Sequence, residues 1–113
     1  MIVYGINNCD TVKKARRWLE QHDIAYQFHD FRSDGLDEAT VDQWLKTLDW
    51  QQVLNKRSTS WRQLTDEQRD GLTEQKAKQL ILANPTLVKR PVINAHGKLW
   101  LGFNESQYQD LLK

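Results

Sequence analysis

The sequence predicts an α/β fold made of a β-α-β half and a β-β-α half, with a helical block between them. Three observations carry that prediction. A short apolar run, Ile2 to Tyr4, is followed at once by apolar residues at helical spacing. Two further short apolar runs flank a turn at Ala95-His96-Gly97 near the end of the chain. Residues 33–85, between the two halves, show helical spacing and capping signals.

Each element follows from its residues. Ile2 to Tyr4 is a strand, Gly5 to Asn8 a loop, and a helix begins near Asp10 or Thr11. Val12, Ala15 and Leu19 form its inner face, while Lys13, Lys14, Arg17 and Glu20 lie on other faces. His22-Asp23 ends it, and Ala25 to Phe31 alternates, with Tyr26 and Phe28 on one side and Gln27 and His29 on the other. After a turn at Ser33-Asp34-Gly35, Asp37 caps a helix with Val41, Trp44, Leu45 and Leu48 facing in. Asn55 to Ser60 reads as a polar loop. Thr65 and Gln68 have capping-box spacing and open a short helix. Thr73 caps another, with Ala77, Leu80 and Ile81 inward, and Asn84-Pro85 stops it because a residue before proline avoids helical geometry. Pro91 to Asn94 and Lys98 to Phe103 form a hairpin. Asn104 caps a last helix with Gln107 at the capping-box position and Tyr108, Leu111 and Leu112 facing in. This is the thioredoxin-fold order. It predicts one domain over 1–113, with a thioredoxin-like core in 1–32 and 86–113 and a helical insertion in 33–85.

Composition narrows the function. A chain of 113 residues with 39% hydrophobic and 27% charged residues is an ordinary globular domain. A net charge of +1 argues against a nucleic-acid binder, which needs a basic surplus or stripe. One cysteine forms no internal disulfide, and with three scattered histidines it makes no zinc motif. The first residues meet polar Asn7 and Asn8 too soon for a signal segment, and no apolar run approaches the ~20 residues of a membrane helix. The expectation is therefore a cytoplasmic protein that is not membrane-bound and is a monomer. The five tryptophans read as core and edge anchors.

Cys9 is the first chemical candidate. It lies between an apolar strand and a helix start, where unpaired N–H groups and a partial positive charge favour thiolate over thiol. Lys13 adds a positive charge one turn on. A cysteine can also be a small buried hydrophobe, but Asn7, Asn8 and Asp10 argue against deep burial here. Asp10 acts in the other direction, since a carboxylate opposes a thiolate. Arg90-Pro91 is the second. A cis proline facing the cysteine is what a thioredoxin-like domain places at this point, and X-Pro is the bond where cis is cheap. An ordinary trans proline at a strand start is the alternative, and the local residues do not choose between them. The third is a set of cations. Lys56 and Arg57 lie in the middle loop with Arg62, and Lys89 and Arg90 precede the proline. In the predicted fold Arg57 and Arg90 would converge on Cys9, and a guanidinium binds carboxylates and oxyanions through paired hydrogen bonds. Arg62 reads as solvated or helix-supporting.

These residues resemble the ArsC/Spx family of thioredoxin-fold proteins, closest to its YffB-like branch. Residues 4–15, from Tyr4-Gly5-Ile6-Asn7-Asn8-Cys9 to Ala15, resemble the cysteine loop. Asn55-Lys56-Arg57-Ser58-Thr59-Ser60-Trp61-Arg62 resembles the branch's basic segment. Leu87 to Ile93 resembles the Arg-cis-Pro strand, and Leu101-Gly102-Phe103-Asn104-Glu105 the last strand-to-helix turn. The resemblance covers almost the whole chain. It implies Cys9 as redox nucleophile, Arg90 as the basic residue beside it and Pro91 as a cis proline. It also implies glutathione as co-substrate of a thiol reductase, with no metal. Asn8, Lys13, Lys56, Arg57 and Pro91 are then the candidates for holding substrate or glutathione.

The chain also departs from its relatives. The family's arsenate reductases carry a histidine where this chain has Gly5, and three arginines of which only Arg90 matches. Asn55 falls at the first of these positions and Gly102 at the last. Spx regulators carry a Cys-x-x-Cys switch, whose second position here is Val12. The expected activity is a one-cysteine, glutathione-dependent thiol-disulfide reductase. The alternative is a non-catalytic adaptor that binds RNA polymerase or another protein, and arsenate reduction ranks below both.

Overall fold

The computed structural model describes residues 1–112, which fall into two compact units. The first unit is Met1–Asp34 with the chain from Arg90 onward, and the second is Gly35–Lys89.

The first unit is built on four strands: β1 (Ile2–Gly5), β2 (Gln27–Asp30), β3 (Val92–Ala95) and β4 (Lys98–Leu101). Their order in the sheet is β2-β1-β3-β4. β1 pairs parallel with β2 and antiparallel with β3, and β3 pairs antiparallel with β4. The parallel pair needs a crossover, supplied by α1 (Asp10–Gln21), whose Val12, Ala15, Trp18 and Leu19 are buried. The unit closes with α7 (Glu105–Tyr108) and a 3-10 turn, Gln109–Leu112. This is the thioredoxin-like arrangement that the element order predicts.

The core of this unit joins Val3, Ala15, Trp18, Leu19, Ile93, Trp100 and Tyr108. Tyr108 is its pivot. Trp18 and Phe103 both meet its ring edge-on, at centroid distances of 5.4 and 5.2 Å. Its hydroxyl donates to the Gly102 carbonyl at 2.5 Å. Burial pushes the phenol above its ordinary value, so it stays a donor. Gly102 follows β4 at φ +73°, a left-handed conformation open to glycine and costly for other residues. Leu112, expected inside, is 45% exposed. The chain changes from α-helix to 3-10 turn after Tyr108, and the tighter winding gives Leu111 the buried position and turns Leu112 out.

The second unit is helical: α2 (Glu38–Thr47), α3 (Trp50–Val53), α4 (Thr59–Arg62), α5 (Asp66–Arg69), α6 (Glu74–Ala83) and a 3-10 turn, Pro85–Leu87. Every α-helix in it starts with a side-chain cap. Asp37, Asp49, Ser58, Thr65 and Thr73 accept from Thr40, Gln51, Trp61, Gln68 and Lys76 backbone N–H groups. The capping box predicted at Thr65 and Gln68 is present. The segment expected as a polar loop, Asn55 to Ser60, instead contains the start of α4. The four residues of α3 and of α4 span little more than one turn, too short for apolar periodicity to mark. Lys78 ties α6 to α2, at 2.7 Å from Glu38 and 2.9 Å from Asp42. Hydrogen bonds to those two carboxylates hold its ammonium above the ordinary value. An isolated antiparallel bridge, Leu54 with Val88, ties the start of the basic segment to the residues that lead to Arg90. No helix among the described residues is long and apolar enough to cross a membrane.

Removing the Tyr108 hydroxyl isolates one interaction. Tyr108→Phe keeps the ring packing and loses the bond to Gly102, for about 1 kcal/mol. Thermal denaturation should show a midpoint lowered by about 4 °C, with the folded-state circular dichroism unchanged.

Candidate active site at one end of the sheet

The strands bring four chain segments to one end of the sheet. Gly5 at the end of β1 pairs with Asp30 at the end of the parallel strand β2. The β1–β3 register has Tyr4 opposite Val92, so its continuation by one residue sets Pro91 across from Gly5. The N–H of Gly102, just past β4, donates to the Pro91 carbonyl at 2.8 Å. The loop carrying Cys9 leaves β1 at this same end.

Cys9 is itself the N-cap of α1. Its backbone is extended, φ −141° and ψ 120°, and its carbonyl accepts the Lys13 N–H at 3.0 Å. The thiol makes no capping hydrogen bond and is partly exposed. An N-cap serine or aspartate would commit its oxygen to the helix, whereas this side chain stays uncommitted. Asn8 and Lys13 are exposed beside it, and Val12, at the place of a second Cys-x-x-Cys cysteine, is fully buried.

Close packing explains Gly5. A Cβ there would lie 2.8 Å from Val12 Cγ2 and 3.2 Å from Cγ1. Any side chain at residue 5 must push α1 or Val12 aside, and a histidine would need far more room.

The Arg90-Pro91 bond is cis. Pro91 is buried and Arg90 half-buried. Pro91 has no N–H, which is why β3 begins at Val92 rather than at the proline.

Asn8, Cys9, Lys13, Arg90 and Pro91 thus all belong to the first unit, and Lys56 and Arg57 to the second. In the second unit Asn55 Oδ1 accepts the Arg57 N–H at 3.0 Å. The Arg57 carbonyl accepts from the Arg62 guanidinium at 3.2 Å. Arg62 stays exposed, as expected, and its guanidinium also braces the basic turn. Lys56 lies 5.7 Å from the Trp61 ring centre. No cluster of three or more His, Cys, Asp or Glu residues able to hold a metal occurs among the described residues.

Asp30 is a site residue that sequence reasoning missed. It is 7% exposed and accepts the backbone N–H of Asn7 at 3.2 Å, of Arg32 at 2.7 Å and of Ser33 at 3.4 Å. Burial pushes the carboxyl up, but the three N–H donors and the Arg32 charge outweigh it and hold the group below its ordinary 3.8. One carboxylate therefore anchors the cysteine loop to the end of β2. The available signal was an acidic residue on the Tyr26 and Phe28 side of an alternating strand.

A depressed carboxyl stabilises the fold where it is ionised. Its contribution is complete well above the ordinary 3.8, begins to fall as pH approaches that value and is lost as pH falls through the lower folded value. Asp30→Asn should flatten the acid side of a melting-temperature profile as pH falls through and below the ordinary 3.8, while lowering stability at neutral pH.

Comparison with known proteins agrees with this architecture. A model of the ArsC family matches residues 4–111. An uncharacterized protein of Haemophilus influenzae is 48% identical over 107 residues, covering 95% of this chain and 94% of its own. The global transcriptional regulator Spx of Listeria innocua is 30% identical over 112 residues, covering 97% of this chain and 85% of its own. A solved structure of a YFFB protein superposes with a TM-score of 0.95 at 42% identity, covering 99% of this chain and 98% of that one.

Proposed function

Because the chain belongs to the ArsC family, we propose that it is a thiol-disulfide reductase that works with the single cysteine Cys9 and takes glutathione as co-substrate. The observation that carries this reading is the position of Cys9. It begins α1, is partly exposed and keeps its thiol out of the helix cap. A helix N-terminus stabilises an anionic sulfur, and the thiolate is the attacking species in disulfide exchange.

In the first step the Cys9 thiolate attacks the glutathione sulfur of a mixed disulfide. A Cys9–glutathione disulfide forms, the original S–S bond breaks, and the substrate leaves as its thiolate. In the second step a glutathione thiolate attacks the glutathione sulfur bound to Cys9. Glutathione disulfide leaves and the Cys9 thiolate returns. The external thiol is required because Val12 stands where an internal resolving cysteine would be. Lys13 and Arg90 supply positive charge for the thiolate, and the backbone at Pro91 aligns the disulfide. Asn8 donates from the loop, and Lys56 and Arg57 remain the candidates for the glutathione carboxylates. Such an enzyme works as a monomer in the cytoplasm, where glutathione is the ambient thiol.

Arsenate reduction is the weaker enzymatic reading. Residue 5 has no room for a histidine without moving Val12, and residue 102 is held at a left-handed φ that disfavours arginine.

Incubation with glutathione disulfide followed by intact-mass measurement tests the reductase. One glutathionyl group should add, the Cys9→Ser variant should add none, and excess glutathione should reverse the adduct. An unmodified wild-type chain would sink the reading.

The similarity to Spx regulators favours a second reading, a non-catalytic adaptor on RNA polymerase or another protein. It expects a stoichiometric partner recovered from cell extract equally by wild type and Cys9→Ser. The reductase recovers none.

A further inference from the structure

Asn7 is held on both sides. Its backbone N–H donates to Asp30 Oδ2 at 3.2 Å. Its side-chain Oδ1 accepts from Arg16 Nη1 at 3.2 Å. Arg16 is in turn held by Tyr26 and Phe28. Its Nε donates to the Tyr26 hydroxyl at 2.9 Å, and its guanidinium carbon lies 4.1 Å from the Phe28 ring centre. The Tyr26 hydroxyl itself donates to Glu20 Oε1 at 3.0 Å. An exposed loop residue thus rests on a chain of interactions running back through α1 and β2.

This arrangement settles the amide orientation. A guanidinium has donors and no acceptor, so it binds only the oxygen of Asn7. The two N–H donors of Nδ2 are left without a protein partner among the described residues. They stand on an exposed side chain two positions before Cys9.

We infer that Asn7 is a specificity residue, whose Nδ2 group donates to a carboxylate of an anionic thiol peptide of the glutathione class, and that Arg16 is the positioning residue that fixes its orientation. This deepens the reductase reading and rests on it. The chemical step is unchanged. The Cys9 thiolate attacks one disulfide sulfur, the S–S bond breaks and the other half leaves as a thiolate. Asn7 acts on which disulfide is accepted, because an amide donor rewards a partner that carries a carboxylate and offers nothing to one that lacks it.

The test compares two disulfide probes on the full chain, glutathione disulfide with its carboxylates and 2-hydroxyethyl disulfide without them. The readout is the ratio of the second-order rate constants for Cys9 modification, followed by intact mass. Asn7→Leu removes the donors without adding charge, and should lower the ratio about tenfold, the typical worth of a hydrogen bond to a charged group. Arg16→Met keeps an apolar stem over Phe28 but frees the amide to flip, and should lower the ratio by a smaller factor. It also keeps the measurement decisive if Asn7→Leu fails to fold by thermal melting. An unchanged ratio in the folded variants overturns the assignment, as does an equal fall in both rates, which would mean only a loosened loop. A wild type that reacts with both probes at similar rates overturns the Asn7 assignment and leaves the reductase standing. A wild type inert to both overturns the reductase and this inference with it.

Discussion

The contact between Gly5 and Val12 is the constraint on which the cysteine end of the molecule depends. The missing side chain at residue 5 lets α1 approach β1 closely enough for Val12 to fill the space where a Cβ would be. Close-packed interiors do not leave such a space empty, so the first turn of α1 is locked against the end of β1. Cys9 then becomes the residue that begins the helix. The same contact removes two other chemistries. A histidine at residue 5 is displaced by Val12. Residue 12, sealed in the core at 0% exposure, is a packing residue rather than an internal partner for Cys9.

A second layer of order comes from the sheet. Parallel pairing brings the ends of β1 and β2 together, and antiparallel pairing brings the start of β3 to the same place. Loops that leave this end need their backbone groups satisfied. Asp30 does this for Asn7, Arg32 and Ser33, and Gly102 does it for Pro91. A buried carboxylate is costly alone, but three backbone donors more than offset its desolvation, as its lowered pKa records. The cysteine loop is therefore held by interactions with residues far away in sequence, and Tyr108 fixes the opposite bank through Gly102.

Much of the fold was legible because its longer elements carry full periods. Val12, Ala15 and Leu19 mark the inner face of α1, and Ala77, Leu80 and Ile81 that of α6, and all six are buried. Caps were legible where a side chain and its backbone target stand three residues apart, as at Thr65 and Gln68. The helices α3 and α4 escaped because four residues hold barely one turn. Leu112 escaped because the switch from α-helix to 3-10 turn after Tyr108 is a packing outcome, without a marker in the residues themselves.

The candidate site divides in the same way. By itself the sequence determined that there is one thiol, that it adjoins a helix start, that position 12 holds no second cysteine and that an X-Pro bond precedes the third strand. Those are matters of residue type and local order. Only the tertiary structure decided that Cys9 is the cap residue with its thiol uncommitted, that the Arg90-Pro91 bond is cis, and that Asn7 is gripped by Asp30 and Arg16. These depend on contacts that span as many as 23 positions between Asn7 and Asp30. Local propensity cannot encode a distance that exists only once β1, β2 and α1 have packed together.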